Sequence, residues 1–384
     1  MMIYLDNAAA TPIDSRVLAA MMPYFSDEFY NPSAAYLAAR QVRADVEEAR
    51  HTLAKTIGAR SAEIILTAGA TESINLALGG VDGRIVTTAI EHSAVLETAW
   101  ARGGRILPVD VGGRINLDEL RRVLTDDVVI VSVGYVNSET GMVQNIRQIA
   151  EVVQAVRAER EQRGADTPLY LHTDASQAAG LFDLNVSRLG VDLMTLNAGK
   201  CYGPKQVGLL YILAGVQLKP LIRGGGQEMG LRSGTENVTG IIGFAKALEL
   251  AEKLRSSEVK RLSGLRNMLK QYLVEHLPDV KINESSKANS PAILNMSVAG
   301  VDGERVVFAL DERGVQAATG SACAANKGLR SHVLTALGLD DASVDGSLRI
   351  SMGRFTTADD IEAAGKVIVD VINEQRRFGG LDVA

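Results

Sequence analysis

The chain has 384 residues, enough for two or three domains and too many for a small module held together by disulfides or metal. Hydrophobic residues make up 46% and charged residues 22%, an ordinary globular balance that excludes disordered and fibrous classes. Lys and Arg number 40 against 46 Asp and Glu, a net charge of −6 that argues against nucleic acid as a direct partner. Cys201 and Cys323 are the two cysteines, with no CxxC pair, and five histidines lie scattered at 51, 92, 172, 276 and 332. Neither a metal site nor a disulfide framework is expected, and the composition suits a reducing cytosol. The start, Met1-Met2-Ile3-Tyr4-Leu5-Asp6, shows no basic or apolar leader, and no run reaches the ~20 apolar residues that span a bilayer, so a cytoplasmic protein with no membrane partner is expected.

In chain order, Leu37, Val42, Val46, Ala49, Leu53, Ala54 and Ile57 recur at helical spacing and predict an amphipathic helix over about 34–57. Short apolar runs then alternate with helical patterns. Runs at 63–66, 84–87, 105–107, 128–133, 169–171, 193–196 and 207–212 read as buried strands, and their continuous apolar character predicts a mostly parallel sheet covered on both faces. Helices are expected at 146–163 and from about 237 to 275. Beyond about 260 the pattern becomes helix, short strands (294–298, 348–352) and helices (304–313, 332–337, 358–373). The expected architecture is α/β: a large doubly wound domain at 15–258 and a smaller α+β domain at 259–384, with residues 1–14 packing near the small domain. The polar stretch 283–291 reads as one exposed loop.

Three segments carry chemistry. In Leu66-Thr67-Ala68-Gly69-Ala70-Thr71-Glu72-Ser73 a strand ends in small residues where a helix starts, a place for a phosphate or merely for a capping hydroxyl. Asp174, in Leu171-His172-Thr173-Asp174-Ala175-Ser176-Gln177, stands at the carboxyl end of a strand, either facing a cation or capping a turn. Lys200, in Leu196-Asn197-Ala198-Gly199-Lys200-Cys201-Tyr202-Gly203-Pro204, sits in a Gly-rich turn after another strand, an ordinary surface lysine or an amine for a carbonyl. Together the three fit pyridoxal 5'-phosphate, which needs an amine for its aldehyde, an acid for its ring nitrogen and donors for its phosphate. His92, in Glu91-His92-Ser93, supplies a flat partner for the ring.

These segments, with Leu5-Asp6-Asn7-Ala8-Ala9, Val136-Asn137, Gly224-Gly225-Gly226-Gln227-Glu228, Arg232-Ser233-Gly234-Thr235, Gly320-Ser321-Ala322-Cys323 and Gly353-Arg354-Phe355-Thr356-Thr357, run in family order over nearly the whole chain and resemble cysteine desulfurases of the NifS/IscS type. The resemblance implies the fold-type I, class V aminotransferase architecture, a homodimer with the active site at the subunit interface, L-cysteine as substrate and a sulfur-acceptor protein, such as a cluster scaffold or thiolation enzyme, as partner. It makes Lys200 the residue that bonds the cofactor aldehyde, Asp174 the partner of the ring nitrogen, Gln177 a contact of the phenolic oxygen and His92 the stacking residue. Thr71 binds the phosphate, with Ala70 and Asn197 counted in the same site, and Thr235 reaches the phosphate of the neighbouring subunit. Arg349 clamps the substrate carboxylate and Asn137 assists.

Cys323 is then the nucleophile. The polar residues around it, Gly320-Ser321 before and Ala324-Ala325-Asn326-Lys327-Gly328 after, predict a mobile loop in which the thiolate takes the substrate sulfur as a persulfide, leaving alanine. Asn197-Ala198-Gly199-Lys200 departs from the family's Ser-x-His-Lys and predicts weaker cofactor affinity or a weaker proton relay. Cys201, in place of an aliphatic residue, reads as packing. The chain ends at Phe378-Gly379-Gly380-Leu381-Asp382-Val383-Ala384 without the longer tail that housekeeping members use to dock a scaffold, which leaves the acceptor open. The alternatives are a class V aminotransferase or other amino-acid lyase that does not use Cys323, and a non-catalytic scaffold relative.

Overall fold

The computed structural model describes residues 2–320 and 330–378. Seven strands form the main sheet: β2 (Ile64–Thr67), β3 (Arg84–Thr88), β4 (Arg105–Leu107), β5 (Val128–Ser132), β6 (Tyr170–Asp174), β7 (Leu193–Asn197) and β8 (Gly208–Ile212). These are the seven apolar runs read from the sequence. The spatial order is β2-β8-β7-β6-β5-β3-β4, and β8 alone runs antiparallel to its neighbours. Because β8 is antiparallel to both β7 and β2, β2 runs the same way as the other five. The segments that follow β2, β3, β5, β6 and β7 therefore all emerge at one edge of the sheet, where open α/β sheets bind ligands.

Alternation along the strands divides the core. Ile64, Leu66, Val86, Val131, Leu209 and Tyr211 face one layer, built with helices Leu37–Ile57, Ile146–Gln162 and the first part of Val238–His276. Ile65, Ile85, Ile130, Leu210 and Ile212 face the other, against helices Ala70–Gly79 and Ser93–Ala101. Helix Leu37–Ile57 stops where Gly58 takes φ +71°, a conformation that favours glycine.

Helix Val238–His276 is continuous, but its residues divide: Ile241 to Ala251 join the first core, whereas Leu262, Leu265, Leu269 and Leu273 join a second one. That second core packs under an antiparallel sheet of β12 (Ser347–Ser351), β10 (Ile293–Ser297) and β9 (Lys281–Ile282), with helices Gly303–Glu312 and Ala358–Phe378. Leu5 belongs to it, and β1 (Ile3–Tyr4) pairs in parallel with β11 (Val315–Gln316).

The 283–291 stretch corrects the sequence reading of an exposed loop. Asn283, Ser285 and Ser290 are buried. The Asn283 amide donates to Asn295 Oδ1 and Ser297 Oγ at 2.7 and 2.8 Å, and Ser290 N donates to Gly141 O at 2.7 Å. Its buried polar side chains pair with side chains of β10 and with backbone, which is how polar residues tolerate burial.

Candidate active site

The edge where the parallel strands end opens into a cavity of about 250 Å³, lined by Ala70, Thr71, His92, Asn137, Asp174, Gln177, Asn197, Lys200 and Arg349. Nine of the residues singled out from the sequence thus meet around one space. Thr235 does not; it is exposed and outside the cavity. Cys323 lies outside the described residues.

Each wall has a local cause. After β2, Gly69 takes φ +136°, and Gly208 of β8 packs so closely on it that a Cβ at 208 would lie 2.8 Å from the Gly69 backbone. This turn starts helix Ala70–Gly79, whose first-turn N–H groups at Ala70 and Thr71 border the cavity. Glu72 folds back to accept from Ala68 N at 2.7 Å and pairs with Arg232 at 2.9 Å. The loop carrying Arg232 is anchored by Glu228, which is buried, holds the buried Arg50 guanidinium at 2.7 and 2.9 Å and accepts from Leu66 N at 2.9 Å.

His92 caps helix Ser93–Ala101, its Nδ1 accepting from Ala94 N at 3.1 Å, while the residue stays exposed to the cavity. That bond leaves the proton of a neutral ring on Nε2. Asp174 ends β6 and accepts from Ser176 N at 3.0 Å. Asn197 Oδ1 is used locally, accepting from Gly199 N at 3.0 Å to form the turn Ala198–Lys200. Asn137 Oδ1 likewise accepts from Glu139 N and Thr140 N, both at 2.9 Å, and its amide donates to Ile90 O at 2.8 Å, so this side chain shapes its own loop.

An N-terminal strap crosses the site. Lys200 Nζ donates to Ala8 O and Ala9 O at 2.8 and 2.7 Å, and Gln177 Nε2 donates to Ala8 O at 2.9 Å. Arg349, on β12, donates from one terminal nitrogen to Asp6 at 2.6 Å and from the other to Ser138 O at 3.2 Å. Cys201 is buried in the first core, where it packs as a small hydrophobe, and burial pushes its thiol up to about 12.

The sequence reading gave no role to Glu91, Glu139 or His332, which also line the cavity. His332 Nε2 donates to Glu91 O at 2.9 Å. The buried Glu91 carboxyl accepts from Thr88 Oγ1 at 2.6 Å and Gly134 N at 2.9 Å. Its place in Glu91-His92 was the available signal, but burial cannot be read from a dipeptide.

Burial, and secondarily the Asp174 carboxylate, push Glu91 from 4.5 up to about 7, against the opposing pull of Thr88 and Gly134. The native state therefore holds a proton that the unfolded chain releases near 4.5. This contribution to stability is complete below 4.5 and is lost as pH rises through 7. His172, buried between Ser132 Oγ at 2.8 Å and Thr195 Oγ1 at 2.9 Å, is pulled down to about 4 by burial and acts oppositely, losing stability as pH falls below 6.5. The decisive quantity is the difference between proteins: from pH 4.5 to 7, the stability of Glu91→Gln relative to wild type rises. Urea titrations across that range check it, and a constant difference contradicts it.

Residues 3–364 match the aminotransferase class-V family. The chain is 39% identical to the cysteine desulfurase IscS of Dictyoglomus turgidum, covering 97% of this chain and 95% of that one. Among solved structures it is similar to a NifS-like protein (32% identical, TM-score 0.87, 97% and 99% covered) and to SspA in complex with cysteine (31%, TM-score 0.78, 92% and 99%). Class V aminotransferases and cysteine desulfurases are pyridoxal-phosphate enzymes. Matched over nearly its full length by the family model, by curated relatives and by solved structures, the chain belongs to the class-V aminotransferase family, among the cysteine desulfurases of the NifS/IscS type.

Proposed function

We propose that this chain is a pyridoxal-phosphate cysteine desulfurase that converts L-cysteine to L-alanine, keeps the sulfur as a persulfide on Cys323 and passes it to an acceptor protein. The observation that carries the reading is the convergence of an amine (Lys200), a carboxylate (Asp174), an exposed imidazole (His92) and a helix N-terminus (Ala70, Thr71) on one cavity that also holds Arg349. The donor set suits the cofactor. Ser176 Oγ is buried on the cavity wall with no hydrogen-bond partner among the described residues, an orphan hydroxyl that a ligand acceptor satisfies.

In this reading the first-turn N–H groups and Thr71 would hold the phosphate, His92 would stack on the ring, and Asp174 would keep the ring nitrogen protonated. When bound, the cofactor supplies an electron sink that loosens bonds at the substrate's α and β carbons. Lys200 would hold the aldehyde of the cofactor, and its Nζ is the amine that would hold a proton for the reaction. Arg349 orients the substrate through its carboxylate. The Cys323 thiolate would attack the substrate sulfur; the carbon–sulfur bond breaks with its electron pair left on the β-carbon, which takes up a proton to give alanine, while the sulfur–sulfur bond of the enzyme persulfide forms without an external oxidant.

The exposed Thr235 and its Glu228-anchored loop support a homodimer in which Thr235 serves the partner's phosphate site. The split of helix Val238–His276 between two cores supports domains at 15–258 and 259–384, and Leu5 in the second core supports 1–14 packing near the smaller one. No helix among the described residues is long and apolar enough to cross a membrane. Neither alternative chemistry gains an observation, since the relatives are cysteine desulfurases. With cofactor, L-cysteine and a thiol reductant, alanine and sulfide are expected in equal amounts; pyruvate and ammonia, or transfer of the amino group to an oxoacid, would contradict the reading.

A further inference from the structure

Arg349 is 2% exposed and sits between Leu348 and Ile350 of the second core. Its backbone is locked to Ala318, with Arg349 N donating to Ala318 O at 2.6 Å and Ala318 N to Arg349 O at 3.2 Å. One terminal nitrogen donates to Asp6 Oδ1 at 2.6 Å and the other to Ser138 O at 3.2 Å, while Nε is buried with no hydrogen-bond partner among the described residues. A guanidinium at this depth is tolerated only when its charge is compensated, and Asp6 is the carboxylate paired with it.

Asp6 is itself firmly placed. Ser351 N donates to Leu5 O at 2.7 Å, Asn7 N and Nδ2 donate to Ser351 O at 3.2 and 2.9 Å, and Ala8 N donates to Ser351 Oγ at 2.9 Å. The strap is thus laced to the end of β12, two residues beyond Arg349, and the Asp6 carboxylate presents an oxygen to the fork that an amino acid's α-carboxylate also seeks. The same strap carries the Ala8 and Ala9 carbonyls that receive Lys200 Nζ.

We infer that Asp6 is a specificity-setting residue acting through Arg349: it holds the place of the substrate's α-carboxylate, so an amino acid binds by exchanging one carboxylate for another on the same guanidinium. The inference rests on Arg349 being the carboxylate-binding residue. Asp6 compensates the buried charge of Arg349, and it does so at the expense of affinity for every ligand that enters through a carboxylate. Amines lacking a carboxylate do not compete with it.

The probe is L-alanine, which carries the carboxylate but no sulfur, with ethylamine as the carboxylate-free control, titrated calorimetrically into cofactor-loaded protein. Asp6→Asn is expected to melt at a lower temperature without ligand, yet to bind L-alanine about fivefold to tenfold more tightly. Its melting temperature should rise more than that of wild type at the same alanine concentration, and its affinity for ethylamine should not change. A merely structural Asp6 would not separate the two ligands. KM for L-cysteine should fall in the same variant without a rise in kcat. Asp6→Glu keeps the charge and serves if Asp6→Asn does not fold; it should bind L-alanine as wild type does. Unchanged or weaker alanine binding in Asp6→Asn, an equal gain for ethylamine, or tighter alanine binding in Asp6→Glu overturns the inference. Arg349→Gln distinguishes the two levels. If it leaves alanine binding unchanged, the reading of Arg349 falls. If it weakens alanine binding while Asp6→Asn does not strengthen it, the role of Asp6 alone falls.

Discussion

Cys323→Ser is expected to lower alanine formation from L-cysteine by roughly 10³-fold or more while leaving cofactor binding intact. A serine hydroxyl is about the same size, but it is neither ionised near neutral pH nor able to form the sulfur–sulfur bond, and removing a nucleophile commonly costs several orders of magnitude. Cys201 does not substitute for it: it is buried in the core beside Lys200, and burial pushes its thiol up to about 12. Alanine formation in Cys323→Ser within tenfold of wild type, measured with saturating cofactor, would contradict the assignment. Retained cofactor absorption in the variant distinguishes loss of the nucleophile from loss of the site.

Lys200→Ala is expected to have an effect as large, by a different route. Wild-type protein treated with borohydride should carry the cofactor's mass on the peptide containing Lys200, and the variant should carry none. Turnover should fall by roughly 10³-fold or more, because the amine that holds the aldehyde and carries a proton at Nζ is gone. The strap predicts a further detail. In the cofactor-free wild type the Lys200 ammonium donates to Ala8 O and Ala9 O, so Lys200→Ala takes a donor from both, Ala8 O keeping only Gln177 Nε2. Folding stability should therefore fall slightly, by about 1–2 kcal/mol. A variant with covalently attached cofactor would refute the role of Lys200.

The strands and their direction were legible because each is a short, continuous apolar run between turns, the pattern of a sheet buried on both faces. That β2 runs with the parallel strands was not, since it follows from the antiparallel insertion of β8 between β2 and β7, a pairing no local pattern reveals. Asp174, Lys200 and the turn at Gly69 were readable as strand ends carrying a polar group among small residues. Glu91, Glu139 and His332 were not, because their meaning lies in contacts between segments more than 40 residues apart: Glu91 with Gly134, His332 with Glu91, and Glu139 with Ser331 at 2.5 Å. The Asp6–Arg349 pair spans 343 residues and joins two segments that resemblance had already marked, but marked separately. The loop at 283–291 misled because polarity ordinarily signals exposure, and here the polar groups satisfy one another inside the protein.

The most direct test of the central claim is peptide-resolved mass analysis of the cofactor-loaded protein after brief exposure to L-cysteine without reductant. The account predicts a gain of one sulfur atom on the peptide containing Cys323, none on that containing Cys201, and one alanine released for each sulfur gained. No gain on the Cys323 peptide, with the cofactor bound and alanine or pyruvate still produced, would contradict it.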